Sequence, residues 1–120
     1  MGRMNATPLI AIALLACCGC HGSKNYTTTA KPGRVLSAAR IAGEARGYQV
    51  GRYDAEEGVA NFVMYGDTAA GPRSIETVDI KVSPAPIGSD VSMNVRTGVV
   101  GQTPESVADD MWSRMNRYMK

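Results

Sequence analysis

Three cysteines and the only histidine of this 120-residue chain, Cys17, Cys18, Cys20 and His21, lie within five positions of one another. Thiolates and imidazole suit zinc, yet adjacent cysteines and a Cys-x-Cys pair lack the two-to-four-residue gap of zinc half-sites, and no second half-site follows. No metal is therefore assigned. Because residues 22–120 contain neither Cys nor His, they hold no thiol nucleophile, no Ser-His-Asp triad, no histidine general base and no disulfide staple. Carboxylate pairs are what remain for acid–base work: Glu56-Glu57 and Asp109-Asp110. The first pair precedes Gly58 in an expected hairpin turn and the second falls early in an expected helix, where acids suit the macrodipole. We read both as structural, expect no enzyme, and find no cofactor implied.

Charge narrows the partners. The formal net charge is +2, and Arg34, Arg40, Arg46, Arg52, Arg73 and Arg96 are scattered among acids rather than gathered on one face. A nucleic-acid partner is not expected from that distribution.

The cysteine cluster takes its meaning from what precedes it. Arg3 and the amino terminus supply positive charge, and Leu9-Ile10-Ala11-Ile12-Ala13-Leu14-Leu15-Ala16 follows as an unbroken apolar run. About eight residues is far short of the roughly 20 that cross a bilayer as a helix, and polar residues come soon after, so residues 1–16 read as a cleavable signal peptide. A myristoylation signal does not fit, since Ala6 stands where Ser or Thr is required.

Leu14-Leu15-Ala16-Cys17 resembles the lipobox of bacterial lipoproteins. That resemblance implies diacylation of Cys17 and cleavage before it, making Cys17 the first mature residue; Cys20, preceded by Gly19, is the alternative acceptor. More than one acyl chain anchors a protein stably, at about 0.8 kcal/mol per buried CH₂. The implied partner is a membrane engaged through a lipid anchor, in the cell envelope. Cys18 in place of Asp after Cys17 points, by analogy with enterobacterial sorting, to the periplasmic side of the outer membrane.

Residues 17–33 are polar, breaker-rich and without periodicity, and read as the lipidated cysteine and a flexible tether. Residues 34–120 read as one α+β domain. A helix from about Pro32 to Arg46 carries Val35, Leu36, Ala38, Ala39, Ile41, Ala42 and Ala45 on one stripe and ends at Gly47. Tyr48–Asp54 and Val59–Tyr65 form a hairpin, Gly66 to Arg73 a loop, and Ile75–Ser83 and Val91–Thr97 two further alternating strands. Thr103 and Pro104 then open a second helix. The expected fold is helix, four-stranded antiparallel sheet, helix, with both helices packed on one sheet face.

Gly47-Tyr48-x-Val50 and Asp54-x3-Gly58-Val59 are similar to a helix-then-hairpin pattern in a family of small bacterial envelope lipoproteins. The element order resembles the domains of the lipoprotein C component of the β-barrel assembly machinery. Of functional residues, the resemblance implies only acylated Cys17.

Two functional readings follow. In the first, a non-catalytic, membrane-anchored domain binds an envelope protein or serves a structural role, through the uncovered sheet face with Arg52 or Tyr53, Thr77, Asp79 and Lys81; the stripe Met111, Trp112, Met115 and Tyr118 on the second helix reads first as core covering one sheet face and second as an adaptable partner-binding surface. In the second, a small ligand or lipid occupies a pocket between sheet and helices lined by Phe62, Met93, Met111 and Met115.

Overall fold

A computed structural model of the chain describes residues 20–119. Cys17, Cys18 and the expected signal peptide lie outside the described residues. In chain order the elements are β1 (Cys20–Thr28), α1 (Pro32–Arg46), β2 (Gln49–Asp54), β3 (Val59–Thr68), β4 (Gly71–Pro84), β5 (Ser89–Thr97) and α2 (Pro104–Asn116). The strands form one antiparallel sheet in the order β1-β5-β4-β3-β2. No helix among the described residues is long and apolar enough to cross a membrane.

The sheet has five strands, not the four the sequence led us to expect, and the additional one corrects the tether. Cys20 to Thr28 pairs residue for residue with Thr97 to Ser89 of β5, so most of the stretch read as flexible chain belongs to the folded domain. Its inward positions are Gly22, Lys24, Tyr26 and Thr28, of which only Tyr26 is a large apolar side chain. An edge strand covered by a single helix needs no continuous apolar face, and this one holds its place through backbone hydrogen bonds and polar reach. No apolar alternation marks this strand in the sequence. A second correction concerns Gly66 to Arg73, where β3 and β4 continue pairing out to Thr68 and Gly71 as a long hairpin.

The helix boundaries follow from local chemistry. Gly47 closes α1 with φ +99°, a left-handed conformation that a side chain would resist, and its N–H and that of Tyr48 return to the carbonyls of Glu44 and Gly43. Thr103 caps α2 reciprocally: its hydroxyl accepts from the Ser106 N–H at 3.1 Å, while the Ser106 hydroxyl accepts from the Thr103 N–H at 3.0 Å.

The core lies between one sheet face and both helices. Val35, Leu36, Ala38, Ala39 and Ala42 of α1 and Val107, Ala108, Met111 and Met115 of α2 meet Ala60, Phe62, Val78, Ile80, Val82, Val91, Met93 and Val95. Small residues on α1 allow close approach: a Cβ on Gly43 would lie 2.6 Å from the Phe62 ring. Period-two alternation along β4 and β5 places every second residue here and leaves the others on the far face.

Candidate functional site on the uncovered sheet face

The face turned away from the helices is largely polar, with Val59 and Val63 of β3 as apolar interruptions opposite Lys81 and Thr77. Ser23, Asn25 and Thr27 of β1, Asp90, Ser92, Asn94 and Arg96 of β5, Thr77, Asp79, Lys81 and Ser83 of β4, and Asn61 of β3 stand on it by register. Cross-strand hydrogen bonds order part of this surface: Ser23 donates to Asn94, and Asn61 Nδ2 donates to Asp79 Oδ1 at 2.5 Å. Two shallow depressions interrupt it. One, of about 370 Å³, is lined by Asn25, Thr27, Lys81, Ser83, Asp90 and Ser92 among others, and one of about 190 Å³ lies between Arg52, Asn61, Asp79, Lys81 and Asn94. Such a surface offers side-chain donors and acceptors of both charge signs to a partner, without an enclosed cavity.

The sequence reading placed Arg52, Thr77, Asp79 and Lys81 here, and the structure does the same. Tyr53 belongs to the other side. A register shift between Val50 and Tyr53 leaves Tyr53 opposite Ala60, an inward residue, and the Arg40 guanidinium stacks over its ring at 5.3 Å.

A second polar assembly is buried on the helix side, and reading the sequence by apolar pattern missed it. Glu76, only 1% exposed, accepts from the Tyr48 hydroxyl and, at 2.8 Å, from Thr97 Oγ1; Arg46 Nη2 lies 3.5 Å from the same carboxylate. Arg46 also donates through Nε to Tyr48 Oη at 3.0 Å and pairs with Asp110, which Arg114 reaches at 3.0 Å. Burial, followed by the hydrogen bond to Glu76, pushes the Tyr48 phenol well above the ordinary tyrosine range. Burial works against the Arg46 charge, but Tyr48, Asp110 and Glu76 outweigh it and hold the guanidinium protonated. No buried side-chain nitrogen or oxygen among the described residues lacks a partner. The assembly therefore ties α1, the link from α1 to β2, β4, β5 and α2 together, and its groups are engaged with one another. The clue in the sequence was phase: Glu76 stands two residues before Val78 on the inward register of β4.

The remaining candidates separate cleanly. Glu56 and Glu57 are exposed in the β2–β3 turn, where their N–H groups donate to Asp54 Oδ1 at 3.1 Å. Asp109 accepts from Lys24 Nζ at 2.6 Å and Tyr26 Oη at 2.8 Å, which holds its carboxyl below the usual range. Burial opposes the Asp110 charge, but Arg114 and Arg46 prevail and lower its pKa as well. Adjacent in sequence, the two acids face different partners and form no shared acid–base pair. Of the α2 stripe, Met111 and Met115 are 0% exposed within the core, which fits the core reading and corrects the alternative that made them an interaction surface; Trp112 is half-buried against Tyr26 and Tyr118 is exposed. They point inward because i, i+4 spacing aligns them with Val107 and Ala108 on the stripe facing the sheet. Cys20 is exposed at the start of β1. Among the described residues no group of three His, Cys, Asp or Glu side chains converges as metal ligands would.

No family model matches the chain, and no curated protein matches it significantly. Among solved structures, the crystal structure of Ara h 8.0201 matches at a TM-score of 0.53 with 11% identity, over 82% of this chain and 96% of that one. The solution structure of KanY protein (ms6282) gives 0.45 at 16% identity over 84% and 97% of the two chains. Protein CV1439 from Chromobacterium violaceum gives 0.42 at 17% identity over 82% and 93%. The first likeness is one of fold alone.

Proposed function

We propose that this protein is a membrane-anchored envelope lipoprotein whose single α+β domain acts without catalysis, binding another envelope protein through the uncovered face of its sheet. The observation that supports this most is the distribution of polarity: both helices cover one face, while the other presents a largely polar surface with two depressions. Phe62, Met93, Met111 and Met115 are each 0% exposed in one packed cluster, which favours this reading over a ligand pocket between sheet and helices. The carboxylates that could act as acids or bases are engaged as ion pairs or set in a turn. Anchoring rests on the apolar run and the Leu14-Leu15-Ala16-Cys17 motif.

Two measurements test the two halves of this proposal. Palmitate fed to cells should label the wild-type protein, and Cys17→Ser should abolish the label and release the protein from membranes; an unlabelled wild type overturns the anchor. A photo-crosslinking residue at Asn94 or Lys81 should give adducts with a partner in intact cells, whereas the same residue at Ile41, on the exposed side of α1, should not. Equal yields at all three positions would remove the sheet face as the binding surface.

A further inference from the structure

The strand that replaced the expected tether fixes how the domain stands on its membrane. Given the anchor proposed above, only residues 18 and 19 separate the acylated Cys17 from Cys20, the first residue of β1. Three Cα-to-Cα steps span at most about 11 Å, so the Cys20 end of the sheet is held against the lipid surface.

What lies at that end follows from register. Cys20, Thr97, Glu76 and Met64 form one row across β1, β5, β4 and β3. Beyond the row lie the loop from Gly98 to Gln102, which leads into α2, and the tip of the β3–β4 hairpin. Of the large apolar side chains that the fold leaves exposed, Ile41 lies on α1 and Tyr118 just past the end of α2, while two are here, Val100 at 98% and Tyr65 at 52%, with Val99 half-buried. Their charged neighbours are Arg73 and Arg96, with Asp67 on the hairpin and Glu105 at the start of α2, all exposed. Fully exposed valine in a loop costs solubility with no gain to the core, and an amphipathic tyrosine next to arginines suits the headgroup boundary. Ile87, 79% exposed, occupies the opposite end, about 30 Å away along β5, and cannot touch the same surface.

We propose that the Gly98–Gln102 loop and the β3–β4 hairpin tip form a lipid-docking surface, with Val100 entering the interface and Tyr65, three pairs short of the hairpin's last pair, at the outer headgroup level. The anchor then does more than tether: it orients the domain with its strands standing off the bilayer and the polar sheet face open sideways to a partner. This rests on the anchor reading above, and the test separates the two.

Full-length protein matured in cells would be reconstituted into vesicles of phosphatidylethanolamine and phosphatidylglycerol, its lipidation verified by intact mass, and its amide exchange compared with that of soluble Cys17→Ser protein. Peptides covering 98–102 and 66–72 should exchange roughly tenfold more slowly on vesicles, while 85–88 stays unchanged. Val100→Asp, still lipidated, should lose the protection over 98–102 and keep its folded-core protection elsewhere. Lipidated protein whose 98–102 and 66–72 peptides exchange as in solution overturns the docking surface alone, as does protection confined to 85–88. Protein found without acyl mass overturns the anchor and the docking surface together.

Discussion

Tyr26 on β1 stacks against Trp112 on α2 with ring centroids 4.6 Å apart and planes inclined by 15°, and its hydroxyl donates to Asp109 at 2.8 Å. Lys24, two residues earlier, reaches the same carboxylate at 2.6 Å. This is how a polar edge strand is held beneath a helix: one aromatic contact and one shared acid do what Val91, Met93 and Val95 do on β5.

Removing the stack should loosen β1 first. Tyr26→Ala should lower the unfolding free energy by about 2–4 kcal/mol, combining the lost burial of a large ring with about 1 kcal/mol for the aromatic pair. Urea denaturation of the soluble Cys17→Ser protein gives the number, and hydrogen exchange should show residues 20–28 opening before the rest. Unchanged stability would mean that backbone pairing alone secures the strand.

The buried ionic assembly should be unforgiving of half-removal. Arg46→Met leaves Glu76 in the core without its cation and should cost about 3–5 kcal/mol, whereas the pair Arg46→Met with Glu76→Gln should recover part of that loss. Thermal unfolding of the single and double variants checks the sign of the coupling. Strict additivity would show that the two residues do not act together.

Acid should weaken the fold through the α2 carboxylates. Asp109 and Asp110 both have folded-state pKa values below the ordinary aspartate value, so the folded state holds fewer protons than the unfolded chain as pH falls through that range. Their contribution is present above about pH 4 and is lost below it. Denaturation midpoints from pH 7 down to pH 2 should fall most steeply below pH 4, and Asp110→Asn should flatten that limb while lowering the plateau.

At the alkaline end the sign reverses. Tyr26 and Tyr48 have phenols raised above the ordinary value, so the folded state keeps protons that the unfolded chain releases above about pH 10. Stability should decline as pH rises past that point, and Tyr48→Phe should shallow the decline. An identical alkaline slope in the variant would show that Tyr48 ionises as it does in the unfolded chain.

The close approach of α1 to the sheet predicts a cost for one methyl group. Gly43→Ala would set its Cβ 2.6 Å from the Phe62 ring, an overpacking worth about 1–3 kcal/mol even though alanine is the better helix former. Adding Phe62→Leu should relieve part of the clash, and a calorimetric comparison of the single and double variants reports it.

Much of this architecture could be read from one chain. The stripe from Val35 to Ala42, the glycine at 47, the Thr103-Pro104 start and the alternation of β4 and β5 fixed both helices, their common sheet face and the antiparallel class, because apolar period and cap chemistry are local properties. The same alternation placed Thr77, Asp79 and Lys81 on the open face and left Arg52 and Tyr53 as alternatives, between which the register shift in β2 decides for Arg52. Tertiary structure alone decided three things. β1 exists because an unpaired edge of β5 and a facing α2 accept a polar strand, and neither partner is near it in sequence. Glu76 is buried because Tyr48, Thr97 and Arg46 converge on it from three other segments. The third is the height at which an anchor at Cys17 would hold the domain, since a stretch that reads as flexible linker is shortened to almost nothing once backbone pairing, which carries no side-chain signature, recruits it into the sheet.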